Sequence, residues 1–214
     1  MNYIMMNQEM TKAILEGRKT QTRRVGITAS GKYIIDENLL KNYKLSNQDI
    51  SKCGKYQKGN IVWVREPVSI ESIYRDDDTY DSTKIKYIAD GKVVDYFEMP
   101  EKHIDKKWHI NCQGVPNGCI KEMARIFLEI TDVRVEKIQD ISDNDIFKDG
   151  FSDFVIVDGL SRFSPKAPKR WWKNLWDKTA PKGYKWDDNP YVFVYSFKIV
   201  TDKEDIKLYK FLQK

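Results

Sequence analysis

The chain has 214 residues, a hydrophobic content of 41%, an aromatic content of 13% and a formal net charge of +5 at pH 7. That is enough chain and apolar side chain to bury a core, which excludes a disordered or low-complexity segment. No apolar run approaches the roughly 20 residues of a membrane span, the 3 cysteines are too few and odd for a disulfide framework, and the mild basicity permits contact with RNA, DNA or nucleotides without demanding it.

In chain order, Met1-Asn2-Tyr3-Ile4-Met5-Met6 lacks the basic start and long apolar core of a signal peptide, so a reducing cytoplasm is the expected compartment. Met10, Ala13 and Ile14 recur at helical spacing between Gln8 and Glu16, and Gly17 stands where a helix C-cap sits. Arg18, Lys19, Thr20, Thr22, Arg23 and Arg24 then leave the helix end together. Such a dense set of donors suits a phosphate or a polarised carbonyl. A lysine two or three residues from a threonine also suits proton transfer to or from the hydroxyl. The plainer alternative is that these charges solvate a surface turn.

Residues 26–31 read as a loop and 33–49 as an irregular or short helical insertion. Lys58-Gly59-Asn60 is a turn signal, Ile61-Val62-Trp63-Val64 has the content of a buried strand, and Arg65-Glu66-Pro67 ends it. Arg75-Asp76-Asp77-Asp78 is a charged loop without the full ligand spacing of a calcium site. Segments 84–89 and 92–96 flank Asp90-Gly91, which predicts a hairpin with a two-residue type I′ turn. His103, His109, Cys112 and Cys119 are zinc-ligand types, but without paired Cys-x-x-Cys or His-x-x-x-His spacing, so no metal is expected. The alternation of Ile126, Leu128, Ile130, Val133 and Val135 predicts a long half-buried strand over 124–138, bulged near Thr131-Asp132. Ser142 fits an N-cap for a helix over 143–148 with Gly150 as its C-cap, which places Asp149 at the helix end. Residues 159–168 read as a connection. Over 168–177 a short helix carries Trp172, Leu175 and Trp176 on one face, either as core anchors or, with the basic side chains beside them, as a stacking surface for nucleic acid. Residues 191–200 form a final strand, aromatic on one side and able to close a barrel, and 201–214 a polar tail with a weak helical pattern.

Gly17-x-Lys19-x-x-Thr22-x-Arg24 resembles the signature of the ASCH domain, a small β-barrel related to the PUA domains, with Thr22 at a position where most of that family has Glu. A bacterial branch of the family, the N4-acetylcytidine amidohydrolases, also has Thr there, and its run is similar to Gly17-Arg18-Lys19-Thr20-x-Thr22-x-Arg24. In that branch the Lys and Thr act with a carboxylate from a short helix, and Asp149 falls where the branch has Glu, one methylene longer. Further blocks, 14–25, 59–66 with Trp63, Arg65 and Glu66, 124–136, 140–150 and 189–198, look like an ASCH-type family common in phages and prophages.

The resemblance implies an α+β, PUA-like (ASCH) mixed β-barrel with helices at its mouth. It implies one domain over 1–200, with insertions at about 26–57 and 75–120 and a tail over 201–214. It implies a nucleoside, nucleotide or RNA partner, no membrane and no cofactor or metal, in the cytoplasm of a phage-bearing host. Lys19, Thr22 and Asp149 would carry an amidohydrolase reaction on an acylated nucleoside. Gly17, Arg18, Arg23, Arg24, Trp63, Arg65 and Glu66 would hold the ligand. The same features fit a non-catalytic binder in which Arg18, Lys19, Arg23 and Arg24 contact phosphate and Trp63 or Trp171 stacks a base. A nuclease, as some ASCH relatives are, lacks a His pair or metal-carboxylate cluster in this sequence; a phage protein that interferes with a host factor through a surface remains open.

Overall fold

The computed structural model describes residues 2–26, 52–75, 81–98, 100, 119–152, 156–157, 160–161 and 167–200. The expected loop over 27–31, the insertion over 33–49, Asp76 to Asp78, His103, His109, Cys112, residues 162–166 and the tail over 201–214 lie outside them. The chain is a mixed α+β protein that divides into two compact units, one of Met1–Leu15, Val62–Leu128 and Val200–Lys214, the other of Glu16–Ile61 and Glu129–Ile199. Among the described residues the strands form open sheets, with no closed barrel. No helix is long and apolar enough to cross a membrane among those residues.

In the first unit, with elements numbered along the whole chain, β1 (Tyr3–Met5) pairs in parallel with β3 (Ile61–Arg65), Ile4 opposite Val64. The Val64 N–H donates to the Ile126 carbonyl at 2.9 Å, just ahead of the start of β7 (Phe127–Lys137). Helix α1 (Gln8–Leu15) is capped by Asn7, whose Oδ1 accepts from the Met10 N–H at 2.8 Å, and it buries Met10, Ala13 and Ile14 as their spacing predicts. Pro67 does end β3, but the chain re-enters a sheet at once as β4 (Val68–Arg75). Strands β4, β5 (Asp81–Tyr87) and β6 (Val93–Glu98) form an antiparallel sheet in that order. A bulge between Ile70 and Ser72 breaks the two-residue period of β4, so alternation cannot reveal that strand.

The expected two-residue type I′ turn does not form. Register places Lys86 opposite Val93, so five residues, 88–92, connect β5 to β6, and only Gly91 has positive φ, at 74°. Asp90 does not adopt positive φ, and its carboxylate is occupied: Oδ1 accepts from the Lys92 N–H at 3.1 Å, and both oxygens accept from Arg125.

In the second unit β8 (Ile156–Val157) and β9 (Leu160–Ser161) pair antiparallel with each other, and the remainder of β7, β10 (Tyr191–Ile199) and β2 (Gln21–Val25) lie in that order, β10 and β2 antiparallel with Tyr195 opposite Thr22 and Val194 opposite Arg23. Helix α2 (Asp143–Lys148) is capped as its sequence predicts. The Ser142 Oγ accepts from the Asp145 N–H at 3.1 Å, Asp149 is the C-cap, and Gly150 turns the chain with φ 105°. Helix α3 (Ala167–Thr179) extends a residue or two past each predicted end. Trp172 and Trp176 join Ile138, Ile141, Ile146, Phe151, Val192 and Val194 in the core. The tryptophans are therefore anchors and not a stacking surface. Trp171, half-buried, meets the Phe151 ring edge-on with centroids 5.2 Å apart. Strand β10 buries every residue from Val192 to Tyr195, which is why both of its faces are apolar.

Candidate functional site

The site is built where the segment after Gly17 meets the C-terminal end of α2, both within the second unit. A helix leaves its last carbonyls without intrahelical donors. Here three consecutive residues supply them. The Thr20 N–H donates to the Lys148 carbonyl at 2.9 Å, Lys19 Nζ to the Asp149 carbonyl at 2.8 Å, and Arg18 Nη1 to the Gly150 carbonyl at 2.6 Å. Two of these donors are cations, which also suits the negative pole of the helix. Glu16 holds the rest of the Arg18 fork. Thr20 is tied on its other side, its carbonyl accepting from the Phe197 N–H at 2.9 Å. The donor cluster legible in the sequence thus has polarised carbonyls as partners, and they belong to the chain itself.

Lys19 and Asp149 form an ion pair out of contact with solvent, Nζ to Oδ1 3.2 Å. Burial lowers the Lys19 pKa from 10.5 to about 8; Asp149 opposes that fall, and the Arg24 and Arg23 charges add to it. Burial pushes the Asp149 pKa up, against the pull of Lys19 and Arg23. Desolvation thus draws both groups toward neutrality, and each opposes that pull on the other.

Arg23 lies beneath this pair with its guanidinium wholly buried. Nη1 donates to Asp149 Oδ2 and to Gln21 Oε1 at 3.1 Å, Nε to Glu136 Oε1 at 2.8 Å, and Nη2 to Asp145 Oδ2 at 3.2 Å. The Trp172 ring covers it, centroid 5.8 Å from Cζ. Arg134 closes the cluster, reaching Glu136 Oε2 at 3.0 Å and Asp145 Oδ2 at 2.7 Å. With every nitrogen of Arg23 engaged by protein, none is left for a ligand.

Thr22 is buried on β2, and its hydroxyl makes no hydrogen bond to Lys19 or Asp149. Arg24, half-buried, lies near Tyr56, Tyr195 and Asp149; burial lowers its pKa, and those three groups oppose the fall. The Tyr195 hydroxyl accepts from the Lys55 N–H at 3.1 Å, and a Cβ on Gly54 would come within 2.9 Å of that hydroxyl, so a larger residue there would push on the Tyr195 ring.

Trp63, Arg65 and Glu66 belong to the first unit. Trp63 packs against Tyr3, centroids 5.5 Å apart, and Arg65 lies over the same Tyr3 ring. Glu66 is fully buried and accepts from Arg125 Nε at 2.8 Å and Nη2 at 2.9 Å, while Arg125 stacks 3.9 Å above the Tyr87 ring. The Tyr87 hydroxyl in turn donates to the Met123 carbonyl at 2.7 Å. Cys119 is a buried thiol, its pKa pushed up to about 12 by burial. Among the described residues no group of three metal-ligating side chains converges.

Sequence reading did not find Glu136, Asp145 or Arg134 as partners of the motif. Glu136 and Arg134 sit two apart on β7, the signature of one sheet face, and Asp145 four before Asp149 on one helix face. Those spacings were readable, but not that both faces point at Arg23. In comparisons with protein-family models, with curated proteins and with solved structures, the chain matches none.

Proposed function

We propose that this chain is an ASCH-type amidohydrolase of PUA-like fold, acting on an acylated nucleoside such as N4-acetylcytidine. The observation that carries the reading is the buried Lys19–Asp149 pair, with a lysine whose pKa of about 8 leaves an appreciable neutral fraction near neutral pH. The Thr22 hydroxyl makes no hydrogen bond to Lys19 in the unliganded chain, so the substrate complex has to bring the two together; neutral Lys19 then takes the hydroxyl proton as the Thr22 oxygen attacks the acyl carbon. The same proton passes to the departing nitrogen as the C–N bond breaks, leaving an acyl ester on Thr22. Water then hydrolyses the ester, releasing the acid and restoring Thr22. Asp149 holds the ammonium of Lys19 in place between these steps. Arg24 lies beside the pair, near Asp149, Tyr56 and Tyr195, and Arg18 and Arg23 serve the chain's own oxygens. A cytoplasmic setting in a phage or prophage context is part of the same reading.

The test is release of cytidine from N4-acetylcytidine, followed by chromatography, with Lys19→Met and Thr22→Val alongside the wild type. Turnover by the wild type and its loss in both variants supports the reading. No release at high enzyme concentration overturns it, and the non-catalytic binder of RNA or a modified nucleotide then stands in its place, to be sought by its salt-dependent affinity.

A further inference from the structure

We propose that Arg23 is a positioning residue that keeps Asp149 ionised and turns its Oδ1 toward Lys19. The role deepens the proposed chemistry and rests on Lys19–Asp149 being its working pair. Asp149 divides its oxygens between two cations: Oδ2 accepts from Arg23 Nη1, and Oδ1 faces Lys19 Nζ. A carboxylate can turn about its last bond unless its oxygens are held, and the charge-assisted bond from Arg23 Nη1 holds Oδ2. Arg23 is fixed in its turn by Gln21, Glu136 and Asp145 and lies under Trp172. Nothing about this guanidinium is arranged to meet solvent or ligand, since its side chain is wholly buried.

The charged groups around the pair are Arg23 and Arg24 from β2, Arg134 and Glu136 from β7, and Asp145 and Lys148 from α2. Removing a cation from this set raises the proton affinity of Lys19 and Asp149 together, so both steps of their coupled titration move to higher pH. Removing an anion that neutralises Arg23 moves both steps to lower pH. A residue that only packs would shift neither.

The experiment is a 13C NMR titration of the Asp149 carboxyl and the Lys19 ε-carbon in the full, unliganded chain. Arg23→Gln leaves each carboxylate a cation, Lys19 for Asp149 and Arg134 for Glu136 and Asp145, so the fold has what it needs to survive. The expected result is a rise of both steps by about one pH unit, with restoration in Arg23→Lys, which returns the charge. Glu136→Gln, which keeps Arg23 in place, is expected to move both steps the other way and serves even where Arg23→Gln does not fold. Titration steps unchanged in Glu136→Gln, or unchanged in a folded Arg23→Gln that loses only thermal stability, overturn the proposal. No substrate enters the measurement, so a failure to hydrolyse N4-acetylcytidine leaves this test intact.

Discussion

Lys19→Met removes the buried ammonium while Asp149 keeps Arg23 as its partner and the methionine fills much of the same volume. In the wild type the folded pKa of about 8 lies below the ordinary 10.5, so between those values the unfolded chain binds a proton that the folded one has released. Stability must therefore rise with pH in that window, and it is lost as pH falls through the folded value. From about pH 8 to about pH 9 the proton difference grows from about one half toward one, which at about 1.4 kcal/mol per pH unit gives a gain of about 1 kcal/mol. Above that range Cys119 and Tyr195 oppose the trend, since burial raises both to about 12 and the unfolded chain then loses its protons first. Urea unfolding at about pH 7, 8 and 9 gives the curves. The wild type is expected to gain on Lys19→Met across the upper interval. Parallel curves for the two proteins would refute a buried, depressed lysine and remove the base from the proposed reaction.

Asp149→Asn leaves Lys19 without its counter-ion in a buried site, and a loss of about 3 to 5 kcal/mol in urea unfolding is expected, with the Lys19 titration moving below its present value. Arg125→Met strands the fully buried Glu66 carboxylate and is expected to cost a similar 3 to 5 kcal/mol or so, whereas Asp90→Asn, at the exposed end of the same network, costs less than about 1 kcal/mol. Ser142→Ala removes the N-cap of α2 at a cost of about 1 kcal/mol, and amide exchange within α2 should speed up with it.

Local signals were legible wherever one residue type decides the backbone. Gly17 and Gly150 took the positive φ expected of helix ends, and Ser142 capped the helix it was assigned to. The strand at 61–65 and the helices around Ala13 and Trp172 followed from composition and period. Two failures differ in cause: a bulge between Ile70 and Ser72 breaks the period of β4, whereas at Asp90 the carboxylate is held by the distant Arg125. The site divides along the same line. Lys19, Thr22 and Asp149 were named from the motif and the cap, and two of the three do meet. That Arg18 and Arg23 spend their donors inward could not be read, because a cation in a sequence looks the same whether its anion is a ligand or residue 149.

Stability alone gives little reason for so much charge to be buried here, since well-packed apolar side chains often do as well as a buried ion pair or better. Helix α2 has six residues, too few to hold its shape unaided, and Ile146 is its apolar anchor in the core. What apolar packing cannot supply is a fixed direction for the Asp149 carboxylate or a set proton affinity for Lys19. The carbonyl contacts of Arg18, Lys19 and Thr20 fix the helix end, and Arg23 Nη1 holds one oxygen of the carboxylate there. The proposed acyl transfer would use both the fixed carboxylate and the lowered Lys19 pKa, and it is there that a substitution should separate activity from fold.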